Sequence, residues 1–511
     1  MDLFGTAGIR GGVEDRVTPA LALAVGRAVG AEIRSRGGAD GESTPEPTVV
    51  LARDGRVTGP ALAAAMEAGL AAGGVAVRRA GRLPTPALAH ASQGRYGVML
   101  TASHNPPTDN GIKLFRDGTE FDRELERAVE SRVADEEPVA PWSEWTETTR
   151  IDPLGGYLAD VRAYAERFGA PLDGLRVAVD CGNGMSAPAT PTVLRELGAD
   201  VVTLNGNVDG HFPGRGSKPT PETLADLRAF VADANDGVAE PGRSTDAEGE
   251  SAGDDAEDGS AGDDAEGGSA GDDAEGFAFG IGHDGDADRI VIVDADGEVV
   301  HEDTVLTVLA ERYTRESDAA DPAVVTTPNA SGRIDERVRA AGGRVERVRL
   351  GALHEGIAAV REAAAAADGA GGDDTRVVFA AEPWKHVHVG FGGWIDGVTS
   401  AAVIARLVAD EGLDALREPV TERPYRKVSV PCPDDAKTAA MAELETELPA
   451  AFPEAAVDTD HGVRLEFDDA SWTLVRPSGT EPYVRVYAES DDVDGLVDEV
   501  EAVVEDAVAT A

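Results

Sequence analysis

Again and again along this sequence an apolar run ends in a polar or glycine-bearing turn and gives way to a helical stretch. Residues 48–52 (TVVLA) read as a buried strand, 59–73 as an alanine-rich helix, and 75–79 and 97–101 (GVMLT) as further strands. The pattern returns at 175–180 (LRVAVD) with a helix near 187–197, and at 323–327 (AVVTT) with a helix near 331–341. A third return has its strand at 376–381 (RVVFAA) and a helical stretch at 397–409. Strands that are apolar on both faces and alternate with helices require mostly parallel sheets covered on both sides. The last ninety or so residues break the rhythm: a helix near 435–447, strands at 463–467, 471–475 and 483–488, and a closing helix from about 493 predict a small α+β unit. At roughly 150 residues per domain, 511 residues make three to four of them.

Charge restricts what the chain can bind. Asp and Glu number 95 against 46 Lys and Arg, a formal charge of −49, which excludes binding to nucleic acid or an anionic membrane through overall charge. The acid is not confined to one tail. Residues 239–276 hold fourteen acidic residues and one basic residue, Arg243, which leaves −49 + 13 = −36 elsewhere. A surface acidic throughout suits concentrated salt, where the Debye length falls to about 3 Å at 1 M and self-repulsion is screened. Cys181 and Cys432 match no metal or redox spacing and read as small apolar fillers. The opening residues lack a basic stretch followed by an apolar one, and no apolar run reaches 18 residues. The expectation is a salt-adapted cytoplasmic protein. Only five of the 46 basic residues are lysines (Lys113, Lys218, Lys385, Lys427 and Lys437), an unusual imbalance.

One segment fits none of these folding rules. SAGDDAE is spelled at 251–257, 260–266 and 269–275, with no apolar side chain larger than alanine. Such a tract cannot bury enough surface to offset its ordering entropy. It reads as a disordered, solvating surface insertion, with cation or partner binding as the alternative.

Three short segments carry chemistry. Thr101-Ala102-Ser103-His104-Asn105-Pro106 follows an apolar strand, which places Ser103 at a strand's carboxyl end, where open α/β sheets keep their sites; an ordinary Asx- or Ser-type turn is the other reading. No G-x-S-x-G elbow surrounds it, so a hydrolase triad has little support. In Asp284-Gly285-Asp286-Ala287-Asp288-Arg289, three carboxylates at alternate positions project to one side and offer hard oxygen ligands to Mg²⁺. An EF-hand would need Gly and Glu where Arg289 and Ala295 stand, and a solvated acidic turn remains the alternative. In Arg476-Pro477-Ser478-Gly479-Thr480-Glu481-Pro482, followed by Arg485, two guanidiniums, two hydroxyls and the amides of a glycine turn suit a dianionic phosphate; a plain Pro/Gly turn is the alternative.

Taken in order, Phe4-Gly5-Thr6-Ala7-Gly8-Ile9-Arg10-Gly11, then TASHNP, DGDADR and RPSGTEP resemble the α-D-phosphohexomutase family over the whole chain apart from the repeats. The resemblance implies an α/β fold: three α/β domains with mixed or parallel sheets and a smaller C-terminal α+β domain, arranged around a central cleft. Their expected spans are 1–150, 151–300, 301–420 and 421–511. It implies an isomerase that interconverts hexose 1-phosphate and hexose 6-phosphate, with a hexose 1,6-bisphosphate as intermediate and activator. Ser103 would carry the phosphoryl group, and Asp284, Asp286 and Asp288 would hold Mg²⁺ against it. Lys113, in Asn110-Gly111-Ile112-Lys113, matches the family's acid/base lysine, and Arg10 matches an arginine near the phosphoserine. His104 would orient the loop or the phosphate, or merely pack. Arg476, Ser478, Gly479, Thr480 and Arg485 would grip the phosphate that is not reacting.

The sugar-reading segment departs from the family's Gly-Glu-x-Ser-Gly-His pattern. Here it reads Ala381-Glu382-Pro383-Trp384-Lys385-His386. Glu382 and His386 match as substrate-binding residues. Trp384 either stacks on a sugar face or packs beneath the loop; Lys385 either meets a phosphate or carboxylate or points to solvent. Upstream, Leu350-Gly351-Ala352-Leu353-His354 lacks the family's usual polar partners. The sequence leaves glucose, mannose and glucosamine phosphates undivided, and monomer and homodimer alike. Two other readings stand beside the mutase: an Mg²⁺-dependent phosphatase or phosphotransferase on the same scaffold, and a non-catalytic sugar-phosphate binding protein.

Overall fold

In the computed structural model, residues 3–5, 8–36, 47–236, 276–368, 375–478 and 482–511 are described. Of the sequence readings, Thr6, Ala7, the 239–276 insertion (Gly276 apart), Gly479, Thr480 and Glu481 lie outside them.

The valine-, leucine- and alanine-rich runs form the inner strands of three α/β sheets built on one plan. In the first, Asp109–Arg116, Tyr96–Leu100, Thr48–Arg53 and Ala76–Arg82 lie side by side. The last three are mutually parallel, whereas Asp109–Arg116 returns antiparallel to Tyr96–Leu100. The second sheet repeats the order as Ile290–Val293, Phe279–His283, Arg176–Asp180 and Asp200–Leu204, again with an antiparallel hairpin at one edge. The third repeats it as Lys385–Val387, Thr375–Glu382, Asp321–Thr326 and Arg344–Arg347. The first sheet is widened by Ile9–Gly12, Thr119–Glu120 and Thr148–Arg150.

This shared plan positions the site. Ser103, Asp284–Arg289 and Pro383–Trp384 occupy the same place in their sheets, the turn joining the antiparallel hairpin at the carboxyl end of an inner strand. Each turn holds one non-glycine residue with positive φ: Ser103 at 51°, Ala287 at 62° and Trp384 at 71°. Backbone strain of this kind persists where surrounding contacts over-determine the turn.

The fourth sheet is different, and its period-two apolar alternation is the reason. Tyr425–Pro431, Tyr483–Glu489, Trp472–Pro477, Val463–Glu466 and Ala456–Asp458 form one antiparallel sheet. Val430, Val463, Leu465, Val475, Val484 and Val486 point into a core shared with the helices Lys437–Ala451 and Val493–Thr510. The largest apolar core runs through the first three sheets and includes Val50, Val179 and Phe379. Helix Gly397–Glu411 is buried from Gly397 to Val408 and packs on Leu154–Ala165 and Thr190–Glu196, which ties the third sheet to the second. Cys181 and Cys432 are both buried free thiols, as their isolation in sequence suggests. Among the described residues, no helix is long and apolar enough to cross a membrane.

Candidate active site

The turn after Tyr96–Leu100 is held from behind by a guanidinium. Arg56, fully buried, donates to the carbonyls of Ser103 (3.0 Å), Asn105 (2.7 Å), Pro106 (2.5 Å) and Asp109 (2.9 Å), and its Nε pairs with Asp54 at 3.0 Å. Thr101 Oγ1 accepts the Ser103 N–H at 2.9 Å and donates to Asp54 at 2.8 Å. Burial pushes the Asp54 carboxyl up to about 6, against the pull of Arg56. This brace was not foreseen from the sequence, although Arg53-Asp54-Gly55-Arg56 at the end of a strand was the available signal.

Ser103 meets the aspartates of the second sheet. Its Oγ donates to Asp284 Oδ2 at 2.5 Å and lies 3.2 Å from His104 Nδ1. Gly285 lets the two turns touch, because a Cβ there would stand 2.7 Å from the Ser103 carbonyl. Behind the second turn, the His283 ring bonds the Arg289 carbonyl (2.8 Å) and Thr190 (3.0 Å). Asp286 Oδ2 accepts from Thr85 (2.7 Å) and Thr101 (3.2 Å).

Three buried carboxylates this close are costly unless charge is shared. Asp284, Asp286 and Asp288 present ligand oxygens within 4.8 Å of one another. Burial, then the charges of Asp288 and Asp286, hold the Asp284 carboxyl well above its usual range. Burial also opposes charge on Asp288, but Lys113, Arg289 and Lys385 outweigh it and hold that carboxyl below the usual range. Oδ1 of Asp286 and Oδ1 of Asp288 have no hydrogen-bond partner. Three converging carboxylates, two of them with an unpartnered buried oxygen, are the hard donor set a Mg²⁺ ion requires, so the residues present fit the metal.

Lys113 and Arg10 come from the first sheet, on Asp109–Arg116 and the adjoining Ile9–Gly12. Lys113 Nζ donates to Asp288 Oδ2 at 2.8 Å and lies 3.6 Å from Asp286. Burial disfavours its charge, yet Asp288, Asp286 and Glu120 raise the ammonium above its ordinary value, so it stays protonated in this arrangement. For His104 burial dominates, aided by Arg289 and Arg10, and pushes the imidazole down to about 2.

A cleft opens between these groups and the third sheet, lined by Arg10, Lys113, Asp288, Gly351, His354, Glu382 and Lys385. Glu382 accepts the Gly351 N–H and pairs with Lys385 Nζ at 3.2 Å. Burial opposes its charge, but Lys385 and the Gly351 amide hold its carboxyl below the ordinary value. The 350–354 segment, which looked polar-poor, thus contributes a backbone donor and His354, which sequence reasoning passed over.

The structure does not bring Trp384 or His386 to this cleft, and here the sequence expectation is corrected. Trp384, turned by its positive φ, packs against the second unit's apolar cluster containing Val291 and Val293, and its carbonyl accepts from Ile290. His386 is 1% exposed, and its Nδ1 lies 3.0 Å from Ser400 Oγ behind the hairpin. Alternation along Lys385–Val387 explains this: with Lys385 toward the cleft, its neighbour must face the core.

On the fourth sheet, Arg476 and Arg485 are cross-strand partners. Arg476 donates to Tyr487 OH at 2.9 Å, Arg485 donates to Tyr483 OH, and the Ser478 N–H donates to the Tyr483 carbonyl at 3.0 Å.

Comparison with known proteins agrees with this geometry. Residues 1–140 match the phosphoglucomutase/phosphomannomutase α/β/α domain I, residues 156–253 domain II, and residues 428–507 the C-terminal domain. A phosphopentomutase of Thermococcus kodakarensis is 36% identical over 501 residues, covering 96% of this chain and 94% of that one. The chain belongs to the phosphoglucomutase/phosphomannomutase family. A protein of Methanopyrus kandleri described as a probable phosphoglucosamine mutase is 38% identical over 497 residues, covering 96% and 94%. The fold is shared with a phosphoglucomutase/phosphomannomutase family protein from Burkholderia thailandensis, with a TM-score of 0.77 at 24% identity over 99% of this chain and 97% of that one. As a member of this family the protein is a mutase, an intramolecular phosphotransferase.

Proposed function

We propose that this mutase moves phosphate between O1 and O6 of a hexose through a phosphorylated Ser103, with a hexose 1,6-bisphosphate as intermediate. The observation that carries the reading is the buried Ser103 hydroxyl, 2.5 Å from Asp284 on a turn whose backbone Arg56 braces, next to an aspartate triad whose Asp288 lines a cleft with Lys113 and Glu382. Asp284, Asp286, Asp288 and an oxygen on Ser103 would hold Mg²⁺, which supplies charge neutralisation to a phosphoryl group in transfer. As the O–P bond at Ser103 breaks and a bond to a sugar hydroxyl forms, that hydroxyl loses its proton and the serine oxygen regains one. Lys113 is the group placed to handle these protons, His104 orients the Ser103 loop, and Arg10 steadies the phosphoryl oxygens.

Glu382 and Lys385 read the sugar from the third sheet. Arg476, Ser478, Gly479, Thr480 and Arg485 take the non-reacting phosphate and so set the sugar's orientation. The intermediate then turns over in the cleft, and its other phosphate returns to Ser103.

The test is intact mass together with turnover. After treatment with glucose 1,6-bisphosphate and Mg²⁺, the wild type gains one phosphoryl adduct at Ser103, and Ser103→Ala gains none and is inactive. Absence of the adduct in the wild type would falsify the mechanism. Parallel rates with the 1-phosphates of glucose, mannose, glucosamine and ribose in molar salt assign the sugar.

A further inference from the structure

The guanidinium behind the Ser103 turn has a counterpart behind the aspartate turn. Arg56 works with Asp54, which directly follows Thr48–Arg53, the strand parallel to Tyr96–Leu100. In the second sheet Asp180 ends Arg176–Asp180, the strand parallel to Phe279–His283. There the buried Arg215 pairs its Nε with Asp180 Oδ2 at 2.7 Å. One terminal nitrogen donates to the His283 carbonyl at 2.6 Å, immediately before Asp284, and the other to the Gly216 carbonyl at 3.1 Å. Asp180 Oδ1 accepts from the Gly182 N–H (2.8 Å) and from Asn205 (3.0 Å). A carboxylate and a guanidinium so engaged add no net charge beside three aspartates that already crowd one another.

The aspartate turn is gripped at both ends and in the middle. Arg215 holds the His283 carbonyl at its start, and the His283 ring holds the Arg289 carbonyl at its finish. Between them the Met185 N–H donates to the Gly285 carbonyl at 3.0 Å. Arg215 backs this contact too. Gly182 has a φ of 52°, and a Cβ there would stand 2.8 Å from the Arg215 guanidinium carbon, so the fork rests on the Cys181–Met185 turn.

The loop that carries Arg215 also reaches the first sheet. Three residues earlier, the Phe212 ring lies 5.1 Å from the Arg56 guanidinium. A Cβ on Gly285 would stand 3.3 Å from the same ring. Two residues later, Ser217 donates to the Asn105 carbonyl at 2.9 Å, inside the Ser103 turn. Residues 212–217 therefore touch both turns whose side chains meet in the 2.5 Å bond from Ser103 to Asp284.

We infer that Arg215 is a positioning residue for the metal turn, and that the loop carrying it keeps that turn in register with Ser103. The inference rests on the reading of Asp284, Asp286 and Asp288 as Mg²⁺ ligands. Arg215 acts through the backbone, its bonds going to Asp180, Gly216 and His283. A guanidinium suits the task because its planar fork fixes an angle, whereas an ammonium fixes only a distance.

The decisive substitution is Arg215→Lys, which keeps a cation opposite Asp180, so that no buried carboxylate is left unpaired, and loses the fork. The probe is Mg²⁺ itself, titrated calorimetrically into wild type, Arg215→Lys and Arg56→Lys, well below their unfolding midpoints and at one salt concentration. Mg²⁺ affinity falls by about tenfold or more in Arg215→Lys, the usual cost of losing a group that orients metal ligands. The Mg²⁺ concentration for half-maximal turnover rises in parallel, and saturating Mg²⁺ restores most of kcat. Arg56→Lys, whose fork holds the other turn, keeps the wild-type Mg²⁺ affinity. Asp180→Asn is an independent second variant: it retains an oxygen for the Gly182 amide, releases the Arg215 Nε, and shifts Mg²⁺ affinity in the same direction. Should either variant fail to fold, the other decides. Wild-type Mg²⁺ affinity in a folded Arg215→Lys or Asp180→Asn, even with a lowered midpoint, overturns the positioning role and leaves the metal reading intact. A wild type that binds no Mg²⁺ overturns the metal reading, and the role of Arg215 falls with it.

Discussion

Lys113 and Asp288 form a buried ion pair, 2.8 Å from Nζ to Oδ2, between a strand of the first sheet and a turn of the second. The pair couples the proposed proton donor to a proposed metal ligand, so neither can be altered alone. In Lys113→Met, the aspartates lose their only ammonium within direct bonding distance among the described residues, and an uncompensated buried charge costs about 3–5 kcal/mol. The expected outcome is a metal-free variant that unfolds at lower temperature but gains more from Mg²⁺ than the wild type does, because the cation no longer competes with a lysine. Turnover falls by about 10²–10⁴. Unfolding midpoints with and without Mg²⁺ decide the first point; an equal metal gain in both proteins would count against Mg²⁺ at this triad.

Arg56 offers a sharper test of positioning, because its side chain bonds backbone carbonyls from Ser103 to Asp109 and Asp54, and packs besides on the Phe212 ring, 5.1 Å away. Arg56→Lys keeps the charge and loses the fork that reaches four carbonyls. The variant should stay folded with a lowered midpoint, and its rate of Ser103 phosphorylation should fall by about 100-fold, the cost of an attacking group displaced by an ångström or so. A rate equal to wild type, read by time-resolved intact mass, would show that the turn holds itself.

Trp384 separates packing from sugar contact. With its ring against the cluster of Val291 and Val293, Trp384→Ser removes buried apolar area and should cost about 2–4 kcal/mol, somewhat below a fully buried Trp truncation. KM measured well below the unfolding midpoint should stay within about threefold of wild type, since binding does not use the ring. A large KM rise with unchanged stability would restore the stacking role.

Acid sensitivity follows from two buried imidazoles. His386 and His388 flank Ser400 Oγ at 3.0 and 2.9 Å, and His388 continues the chain to Tyr313 OH at 2.6 Å. Burial pushes His386 down to about 3, and burial plus His386 holds His388 well below its usual range. Both pKa values are lower in the fold than in the unfolded chain, so the unfolded chain binds more protons below about pH 6.5. Stability is therefore full above that pH and falls as pH drops toward 3, by about 1.4 kcal/mol per pH unit for each imidazole. Denaturant midpoints across pH 7 to about 4 at fixed salt should show this slope, and His386→Asn should flatten it.

Much of the fold was legible because strand burial leaves a mark on sequence. The run at 48–52 became Thr48–Arg53 and that at 175–180 became Arg176–Asp180. Helices Pro19–Arg36 and Leu353–Asp368 escaped, since alanine and glycine blur a helical stripe into an even pattern. The metal triad was legible because its ligands are neighbours in one turn. Arg56 was not, because its partners lie about fifty residues away and are backbone carbonyls, which have no sequence signature. Trp384 and His386 misled for a related reason: a motif fixes spacing, whereas a positive φ decides which way the turn faces.

The placement of the lysines carries over to bench chemistry. Reagents for primary amines usually decorate a protein's periphery harmlessly, and immobilisation on activated resins depends on that. Here Lys385 lines the cleft, Lys437 donates to the Ser478 carbonyl at the phosphate turn, and Lys113 lies buried inside. Acylation or reductive alkylation is thus an affinity modification without an affinity group, and saturating sugar phosphate should protect against it. Tethering the enzyme without loss calls for coupling through its abundant carboxylates instead.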